Sequence, residues 1–395
     1  WLHDVKDYLD GMGFCQSKYS AEVLQAQVER FCDSNHYTGW NQHYKLAFHQ
    51  LMCEFKHAEL SPIIYDSKEK FMRSLPRLDT HAGFIFFESG MRTKGENADY
   101  IYQNWDSILE LAIADGSFNL PIIPGMRTQA SGAYDSEGRK TDTWKAKTRL
   151  VNMVDERVIM AETMFARPVQ RYMSDVVSWY AGGKAPQWIS RAVRTAQRDY
   201  GNVITIDYSA FDQSISNWLI YDAFKIVKQM FNPLTKQQEA IFDVIVNDFI
   251  NKAFIDVNGK ILYSHKGVPS GSMFTQIIDS IVNMLMVKTY LNHLGITKYR
   301  CLVMGDDNVI FTNSKLDLED LAGYLQTMFG ISVNPAKCSV ADSKSKGVEF
   351  LSRLQMDGGE WRQPEILVAK LLYPETFRDY IGCGFQPKHV IKSYF

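Results

Sequence analysis

Two adjacent carboxylates lie between two short apolar runs of the chain. Residues 300–304 and 308–312 each have the composition of a strand, and Gly305-Asp306-Asp307 joins them. Glycine permits the close backbone approach that a tight turn needs. Neighbouring carboxylates repel each other unless a cation or hydrogen bonds compensate, and hard oxygen ligands suit Mg²⁺. The pattern predicts a Mg²⁺ site at a hairpin tip, with a solvated acidic turn as the alternative.

A second acidic pair, Asp207 and Asp212, follows the apolar run 202–206, which is typical of a strand. The spacing D-x-x-x-x-D is common and carries little information alone. A two-metal phosphoryl-transfer site needs carboxylates from different strands, with the metals about 3.5–4 Å apart. Asp207 together with Asp306 therefore predicts such a site. One metal would lower the pKa of the attacking hydroxyl, and the other would neutralise the leaving pyrophosphate.

A loop rich in Ser and Gly precedes a long apolar helix predicted over residues 274–294. Free backbone N–H groups at a helix start favour anionic ligands. The helix carries a polar stripe of Thr275, Asp279 and Asn283, with Ser280 beside it. This stripe is either a solvent face or, with Ser270 of the loop, a reader of the sugar of a nucleotide. The 2′-hydroxyl both donates and accepts hydrogen bonds, so Ser and Asn suit it.

Lys145, Lys147 and Arg149 alternate along a segment that is predicted to be extended. Alternate side chains of a strand share one face, so this strip is able to grip a triphosphate, with Arg suited to bidentate contact. A solvated edge strand is the alternative. Residues 139–198 hold twelve basic and five acidic residues, a net +7 in a chain of net charge -2. Such asymmetry suits an acidic body with a basic channel.

The elements that must position these residues follow from local composition. Helices are predicted at residues 21–31, 155–165, 217–231, 274–294 and 318–329, a hairpin at 257–261, and a loop at 116–138. Asn258-Gly259 would supply the tight turn of the hairpin. Gly, Pro and Ser are the basis for the predicted loop. The order strand, helix, helix, strand pair, helix predicts an α+β domain with helices on one face of the sheet.

The rest of the composition excludes several classes of protein. No apolar run reaches the length of about 18 residues that a membrane span needs, and the first residues do not form a signal peptide. Six cysteines form no C-x-x-C pair, so neither a zinc site nor a disulfide framework is predicted, and a reducing compartment is expected. The chain starts with Trp1 rather than Met, so further residues are expected upstream.

The order of these constellations resembles that of the viral RNA-dependent RNA polymerases. The basic strip resembles motif F, Asp207-x4-Asp212 motif A, Ser270-Gly271-x3-Thr275-x7-Asn283 motif B, Gly305-Asp306-Asp307 motif C, Lys337 motif D and Phe350–Arg353 motif E. The fuller string G-V-P-S-G-x3-T-x4-S-x2-N, which begins at Gly267, is similar to polymerases of double-stranded RNA viruses, in particular the picobirnavirus and partitivirus groups.

This resemblance implies a right-hand fold of fingers, palm and thumb, with a ferredoxin-like antiparallel palm sheet. It divides the chain into an N-terminal region with fingers (1–200), a first palm part (201–231), a fingers insertion (232–266), a second palm part (267–353) and a thumb (354–395). Only 88 residues follow Asp307, so the thumb is expected to be short or incomplete.

The resemblance also implies template-directed RNA synthesis that replicates and transcribes a viral RNA genome. Asp207 and Asp306 would hold Mg²⁺, with Mn²⁺ as a substitute, and Asp307 would support them. Lys337 would donate a proton to pyrophosphate. The expected nucleotide-binding residues are Lys145, Lys147, Arg149, Asp212, Ser270, Gly271, Thr275 and Asn283, of which Asp212 and Asn283 would select ribose.

The partners that the resemblance implies are an RNA template and product, ribonucleoside triphosphates and a viral capsid protein, without a membrane. The expected location is the virion interior or the host cytoplasm.

Three other classes remain open from the residues alone. A reverse transcriptase usually carries a bulky aromatic where Asp212 stands, and Phe211 is one residue away. A noncatalytic RNA-binding or capsid-associated protein explains the basic strip but not carboxylates from two strands. A metal-dependent nuclease also uses clustered Asp residues, but it degrades RNA and needs no nucleoside triphosphates.

Overall fold

The computed structural model describes residues 20–37, 40–134, 140–357 and 359–362, without the side chains of residues 87–88, 128–134, 140–148 and 336. The helices of this part are α1 (Ala21–Phe31), α2 (Gln42–Phe55), α3 (Lys68–Ser74), α4 (Phe84–Glu88), α5 (Lys94–Gln103), α6 (Trp105–Asp115), α7 (Glu156–Val176), α8 (Pro186–Asp199), α9 (Phe211–Ser214), α10 (Asn217–Gln229), α11 (Lys236–Ile250), α12 (Thr275–His293) and α13 (Leu318–Phe329). The strands are β1 (Ile123–Tyr134), β2 (Lys140–Met153), β3 (Asn202–Ile206), β4 (Lys252–Ile255), β5 (Ile261–Ser264), β6 (Tyr299–Met304), β7 (Asp307–Thr312), β8 (Ser339–Asp342), β9 (Gly347–Phe350), β10 (Arg353–Met356) and β11 (Gly359–Trp361).

The central sheet has the strand order β6-β7-β3-β8, and every neighbouring pair is antiparallel. Along the chain, helices separate β3 from β6 and β7 from β8, which gives a βαββαβ arrangement. The other sheets, β1-β2, β4-β5 and β9-β10-β11, are also antiparallel. This mixture of helices and antiparallel sheets confirms the predicted α+β class.

Both faces of the central sheet are buried, because its strands are apolar on both sides. Ile204 and Ile310 enter the largest apolar cluster, which includes most of α12. Val203 and Phe311, on the opposite face, pack in a second cluster with Val193 of α8. The prediction of helices on one face is therefore wrong. Successive apolar residues along a strand indicate a sheet that is covered on both sides.

The predicted loop at residues 116–138 is wrong over residues 123–134, because β1 and β2 form a long antiparallel pair from Ile123↔Met153 onwards. Residues 116–121 lie in neither a helix nor a strand, as predicted, and residues 135–138 lie outside the described residues. Composition misled here for a physical reason. The hairpin is a separate two-stranded sheet, and free strand edges tolerate residues such as Pro124 and Gly125 that central strands exclude.

Most other predicted elements are confirmed, with small shifts of their ends. The hairpin β4–β5 has a five-residue loop in which Gly259 takes a φ of 79°. The Asp256 carboxylate accepts the N–H groups of Asn258 and Lys260 at 2.8 and 2.7 Å. Helix α7 continues to Val176 through Pro168. Within the described ranges, every helix is too short or too polar to traverse a lipid bilayer.

Candidate active site

Three carboxylates meet where strands of the central sheet end. The β3–β7 pairing runs to Ile206↔Asn308, so Asp207 and Asp307 follow as the next opposed positions. Asp306 stands in the turn that links β6 to β7. Gly305 opens this turn with a φ of 65°, a conformation that suits glycine at the first central position of a tight hairpin. The sheet thus brings the sequence-predicted acids of two segments to one edge.

Helix α12 holds the turn from beneath. The Ser280 hydroxyl accepts the N–H of Gly305 at 2.8 Å. The Asn283 side-chain amide donates to the carbonyls of Gly305 and Asp306 at 2.9 and 3.2 Å. Ser280 and Asn283 are fully buried. The polar stripe on α12 is therefore not a solvent face, and two of its residues, Ser280 and Asn283, fix the tip of the acidic hairpin.

Asn283 also connects the turn to the other acidic segment. Its Oδ1 accepts the hydroxyl of Tyr208 and the amide of Asn308, each at 3.0 Å. Both N–H groups and both lone pairs of this amide are thus engaged within the protein. A ribose hydroxyl would have to displace one of these bonds. Tyr208 and Asn308, which the sequence did not single out, directly follow Asp207 and Asp307.

The acids of the site repel each other. Burial, followed by the charges of Asp306 and Asp207, raises the pKa of Asp307 to about 7. Burial and then the Asp306 charge raise the pKa of Asp212 to about 6. The positive charge of Arg149 counters both shifts. Excess negative charge of this kind is what a bound cation relieves.

The donor set fits a hard divalent cation in its chemistry, because Asp207, Asp306 and Asp307 offer oxygen ligands. Among the described residues, no group of three or more His, Cys, Asp or Glu side chains is arranged as a complete metal site. The three carboxylates share one sheet edge, and their charges act on one another.

Asp279, one helical turn before Asn283, is a further acid of the site. It is 4% exposed, and its Oδ1 has no hydrogen-bond partner among the described residues. Burial, then the charges of Asp212 and Asp306, raises the pKa of Asp279 well above its ordinary value. The sequence put Asp279 in the polar stripe, which was the available signal, but gave it no role.

Lys337 lies beside the first carboxylate. It ends the short 3₁₀ helix Pro335–Lys337, and its Nζ is 3.9 Å from Asp207 Oδ1. The backbone fixes this approach, since the N–H of Asn334 donates to the carbonyl of Asp207 at 2.8 Å. The N–H of Asp207 in turn donates to the Cys338 thiol sulfur at 3.4 Å.

The basic strip occupies β2, as its alternation predicted. The Arg149 side chain is exposed, and its charge acts on Asp212 and Asp307. Lys145 and Lys147 pair through their backbones with Ser131 and Gln129 of β1, but their side chains lie outside the described part of the structure.

The Ser/Gly loop reaches the end of the same strand. The Ser270 hydroxyl accepts the N–H of Asn152 at 3.1 Å. At Gly271 a Cβ atom would stand 1.8 Å from the carbonyl oxygen of Asn152, so only glycine fits. The Thr275 hydroxyl lies 2.6 Å from the Pro269 carbonyl and donates to it, which closes the loop on itself. The structure thus joins the predicted loop residues to the basic strand.

Comparison with protein families gives a match to the model of the viral RNA-dependent RNA polymerases over residues 18–366. The chain belongs to this family. The predicted membership is confirmed, and the family implies the right-hand polymerase fold.

Two relatives of this chain are viral proteins named RNA-directed RNA polymerase. That of Cryptosporidium parvum virus 1 is 28% identical over 224 residues, which cover 55% of this chain and 40% of the relative. That of Atkinsonella hypoxylon virus is 36% identical over 122 residues, 28% of this chain and 18% of the relative. Both come from double-stranded RNA viruses.

The genome polyprotein of human rhinovirus 16 is a third relative, 25% identical over 312 residues that cover 75% of this chain and 13% of the polyprotein. The matched segments thus span less than half the length of each of these relatives.

Proposed function

We propose that this chain is an RNA-directed RNA polymerase that joins ribonucleoside triphosphates on an RNA template. The observation that carries the proposal is the meeting of Asp207, Asp306 and Asp307 at one edge of the central sheet, beside the cations Arg149 and Lys337. Family membership supports the reaction class, and so do the names of the two viral relatives.

The βαββαβ sheet is the ferredoxin-like palm in this proposal, with strand order β6-β7-β3-β8 as support. The fingers then comprise residues 1–200 and 232–266, the palm 201–231 and 267–353, and the thumb 354–395. Residues 1–19 and 363–395 of this division lie outside the described structure.

Asp207 and Asp306 would hold the catalytic metal ions, and Asp307 would support them from its position opposite Asp207. The ion is Mg²⁺, with Mn²⁺ as a substitute. When bound, a metal pair activates the attacking hydroxyl and neutralises charge on the leaving group. Arg149, whose charge already acts on Asp307, would also face the triphosphate, as would Lys145 and Lys147 of the same strand.

Lys337 would protonate the departing pyrophosphate, and the 3.9 Å distance between its ammonium group and an Asp207 oxygen supports this role. General acids act over hydrogen-bond distances. An ammonium group beside the metal-binding edge would also stabilise the charge that develops on the leaving group.

The ribose is read by Asp212, together with Ser270 of the loop that Gly271 allows to approach β2 and Thr275 at the start of α12. Asn283 contributes indirectly, since its amide is engaged by the turn and by Tyr208. This differs from the direct contact that the sequence suggested.

In the virus, the enzyme would replicate and transcribe the RNA genome. Its partners would then be template and product RNA, with a viral capsid protein as the enclosing partner. The site of action would be the virion interior or the host cytoplasm.

The test is incorporation of labelled nucleotides by the purified chain on homopolymeric RNA templates with Mg²⁺ or Mn²⁺. Incorporation should follow base pairing, so that poly(C) directs GMP and poly(U) directs AMP. Preference for deoxynucleotides would indicate a reverse transcriptase instead. Shortening of the template without incorporation would indicate a nuclease, and neither activity in the presence of a primer would overturn the proposal.

A further inference from the structure

A buried glutamate of α7 holds the Ser/Gly loop. Glu162 is 2% exposed. Its Oε1 accepts the hydroxyl of Ser272 at 2.7 Å, and its Oε2 accepts the backbone N–H of Met273 at 2.8 Å. The Ser272 hydroxyl oxygen also accepts the N–H of Phe274 at 3.0 Å, and Phe274 directly precedes α12.

The loop is consequently fixed from two sides. On one side, Ser270 and Gly271 rest against Asn152 at the end of the basic strand. On the other side, Glu162 binds the next two residues, and Gln170 of the same helix donates to the Met273 carbonyl at 3.0 Å. Four successive loop positions, 270–273, are thus held between β2 and α7, through the hydroxyls of Ser270 and Ser272, the backbone of Met273 and the close approach of Gly271.

A carboxylate that is buried among apolar side chains is energetically unfavourable. Its neighbours along α7, such as Ile159, Met160 and Phe165, are buried and apolar. Burial raises the pKa of Glu162 to about 7, while the Met273 N–H and the Ser272 hydroxyl counter the shift. Removing an acceptor here would leave buried donors unpaired, which costs more than the bond itself contributes.

We propose that Glu162 is a positioning residue for nucleotide binding. It sets the distance between the loop that carries Ser270 and the strand that carries Arg149. The inference deepens the proposed function and rests on it, because the loop matters only if a nucleotide binds between these elements. Glu162 touches no reacting atom and acts through Ser272 and Met273.

Glu156 provides a matched control on the same helix. It is fully buried, and burial raises its pKa to about 8. Neither carboxylate oxygen has a hydrogen-bond partner among the described residues. A role that depended on a buried acid in α7 would be shared by both residues, whereas a role in holding the loop belongs to Glu162.

The experiment compares Glu162→Leu, Glu162→Gln, Ser272→Ala and Glu156→Leu in the full chain. Hydrogen exchange of the segment 268–275 reports the loop contact without any need for activity, and single-nucleotide incorporation gives KM and kcat.

Glu162→Leu should raise both the exchange rate of the Met273 amide and the KM for nucleotide by roughly 10-fold, which is the effect expected of one unpaired buried donor. Glu162→Gln should restore both to within about 3-fold, since its amide oxygen still accepts the Met273 N–H. Ser272→Ala should give an intermediate KM.

Glu156→Leu should leave loop exchange and KM unchanged. Unchanged exchange in Glu162→Leu would overturn the contact itself. Raised exchange with an unaltered KM would overturn the positioning role. A KM increase that Glu156→Leu reproduces would do the same. If the wild-type chain incorporates no nucleotide, the proposed function fails and this role with it, while hydrogen exchange still decides whether Glu162 holds the loop.

Discussion

The role of Asn283 is decided by its hydrogen-bond capacity. An amide without partners in the protein could hydrogen-bond the sugar directly. The Asn283 amide instead makes four hydrogen bonds within the protein, to Gly305, Asp306, Tyr208 and Asn308. Replacing Asn283 would leave several buried groups without a hydrogen bond, which costs about 1–3 kcal/mol of stability for each group. We therefore expect the amide to affect catalysis through the geometry of the acidic turn.

We predict that Asn283→Ala lowers the rate of nucleotide incorporation by about 10- to 100-fold, because the turn that carries Asp306 loosens. The preference for ribo- over deoxynucleotides should change by less than about 3-fold. Asp212→Ala should instead reduce that preference strongly. Parallel single-turnover assays with GTP and dGTP measure both effects. A collapse of sugar preference in Asn283→Ala would restore direct contact between this amide and the ribose.

Sequence identified those residues whose chemistry is visible locally. Asp306 and Asp307 are adjacent in the sequence, and Asp207 directly follows an apolar strand. Pairing of the strands in one sheet then brings the three residues to the same edge. Glu162 gave no such signal, because one acid in an apolar helix has meaning only when its partners Ser272 and Met273 are known. Those partners are 110 and 111 residues away along the chain.

At the scale of elements, the contact between the Ser/Gly loop and β2 depends on the missing side chain of Gly271. We predict that Gly271→Ala lowers both the melting temperature and the incorporation rate, since the added Cβ would meet the Asn152 carbonyl at 1.8 Å. Displacement of packed backbone typically costs about 1–3 kcal/mol. Thermal unfolding and single-nucleotide incorporation measure the two losses.

Gly323→Ala is the control for this substitution. Gly323 lies in α13, and a Cβ there meets nothing within 4 Å. Alanine is favoured over glycine inside a helix by about 1 kcal/mol, so this variant should be as stable as the wild type or more so. Equal behaviour of the two alanine variants would show that the loop does not need its close approach to β2.

The elements were predictable where local pattern and final packing agree, as in β3, β6, β7 and α12. They were not predictable where pairing overrides composition. Strand β1 contains the Gly and Pro residues that suggested a loop, and it is extended because it pairs with β2 along its length. The sequence did not predict that a helix covers the second face of the sheet. That helix, α8, precedes β3 and was not among the elements from which the domain was predicted.

At the scale of the whole molecule, the buried acids make stability depend on pH. Burial raises the pKa of Glu156 to about 8 from the ordinary value of 4.5. Between these values the folded protein keeps a proton that the unfolded chain has lost, so this residue lowers stability as the pH rises through that window.

Glu156→Gln removes the titrating group, so we predict that the variant gains stability relative to the wild type as the pH rises from 5 to 8. Denaturant unfolding at both pH values measures this difference. Glu110→Gln, at an exposed position of α6, is the control for the same change of side chain at the surface. A constant difference between Glu156→Gln and the wild type would contradict a raised pKa at Glu156.

The central claim concerns the acids at the sheet edge, and one comparison tests it most directly. Wild type, Asp306→Asn and Asp99→Asn are assayed for template-length RNA with Mg²⁺, after circular dichroism has shown the same fold. Asp99 is an exposed partner of Lys68 and serves as the control. The wild type and Asp99→Asn should make full-length product, and Asp306→Asn should lose at least about 100-fold in rate, because the proposed metal ligand would be lost. Undiminished synthesis by Asp306→Asn would contradict the assignment of the site.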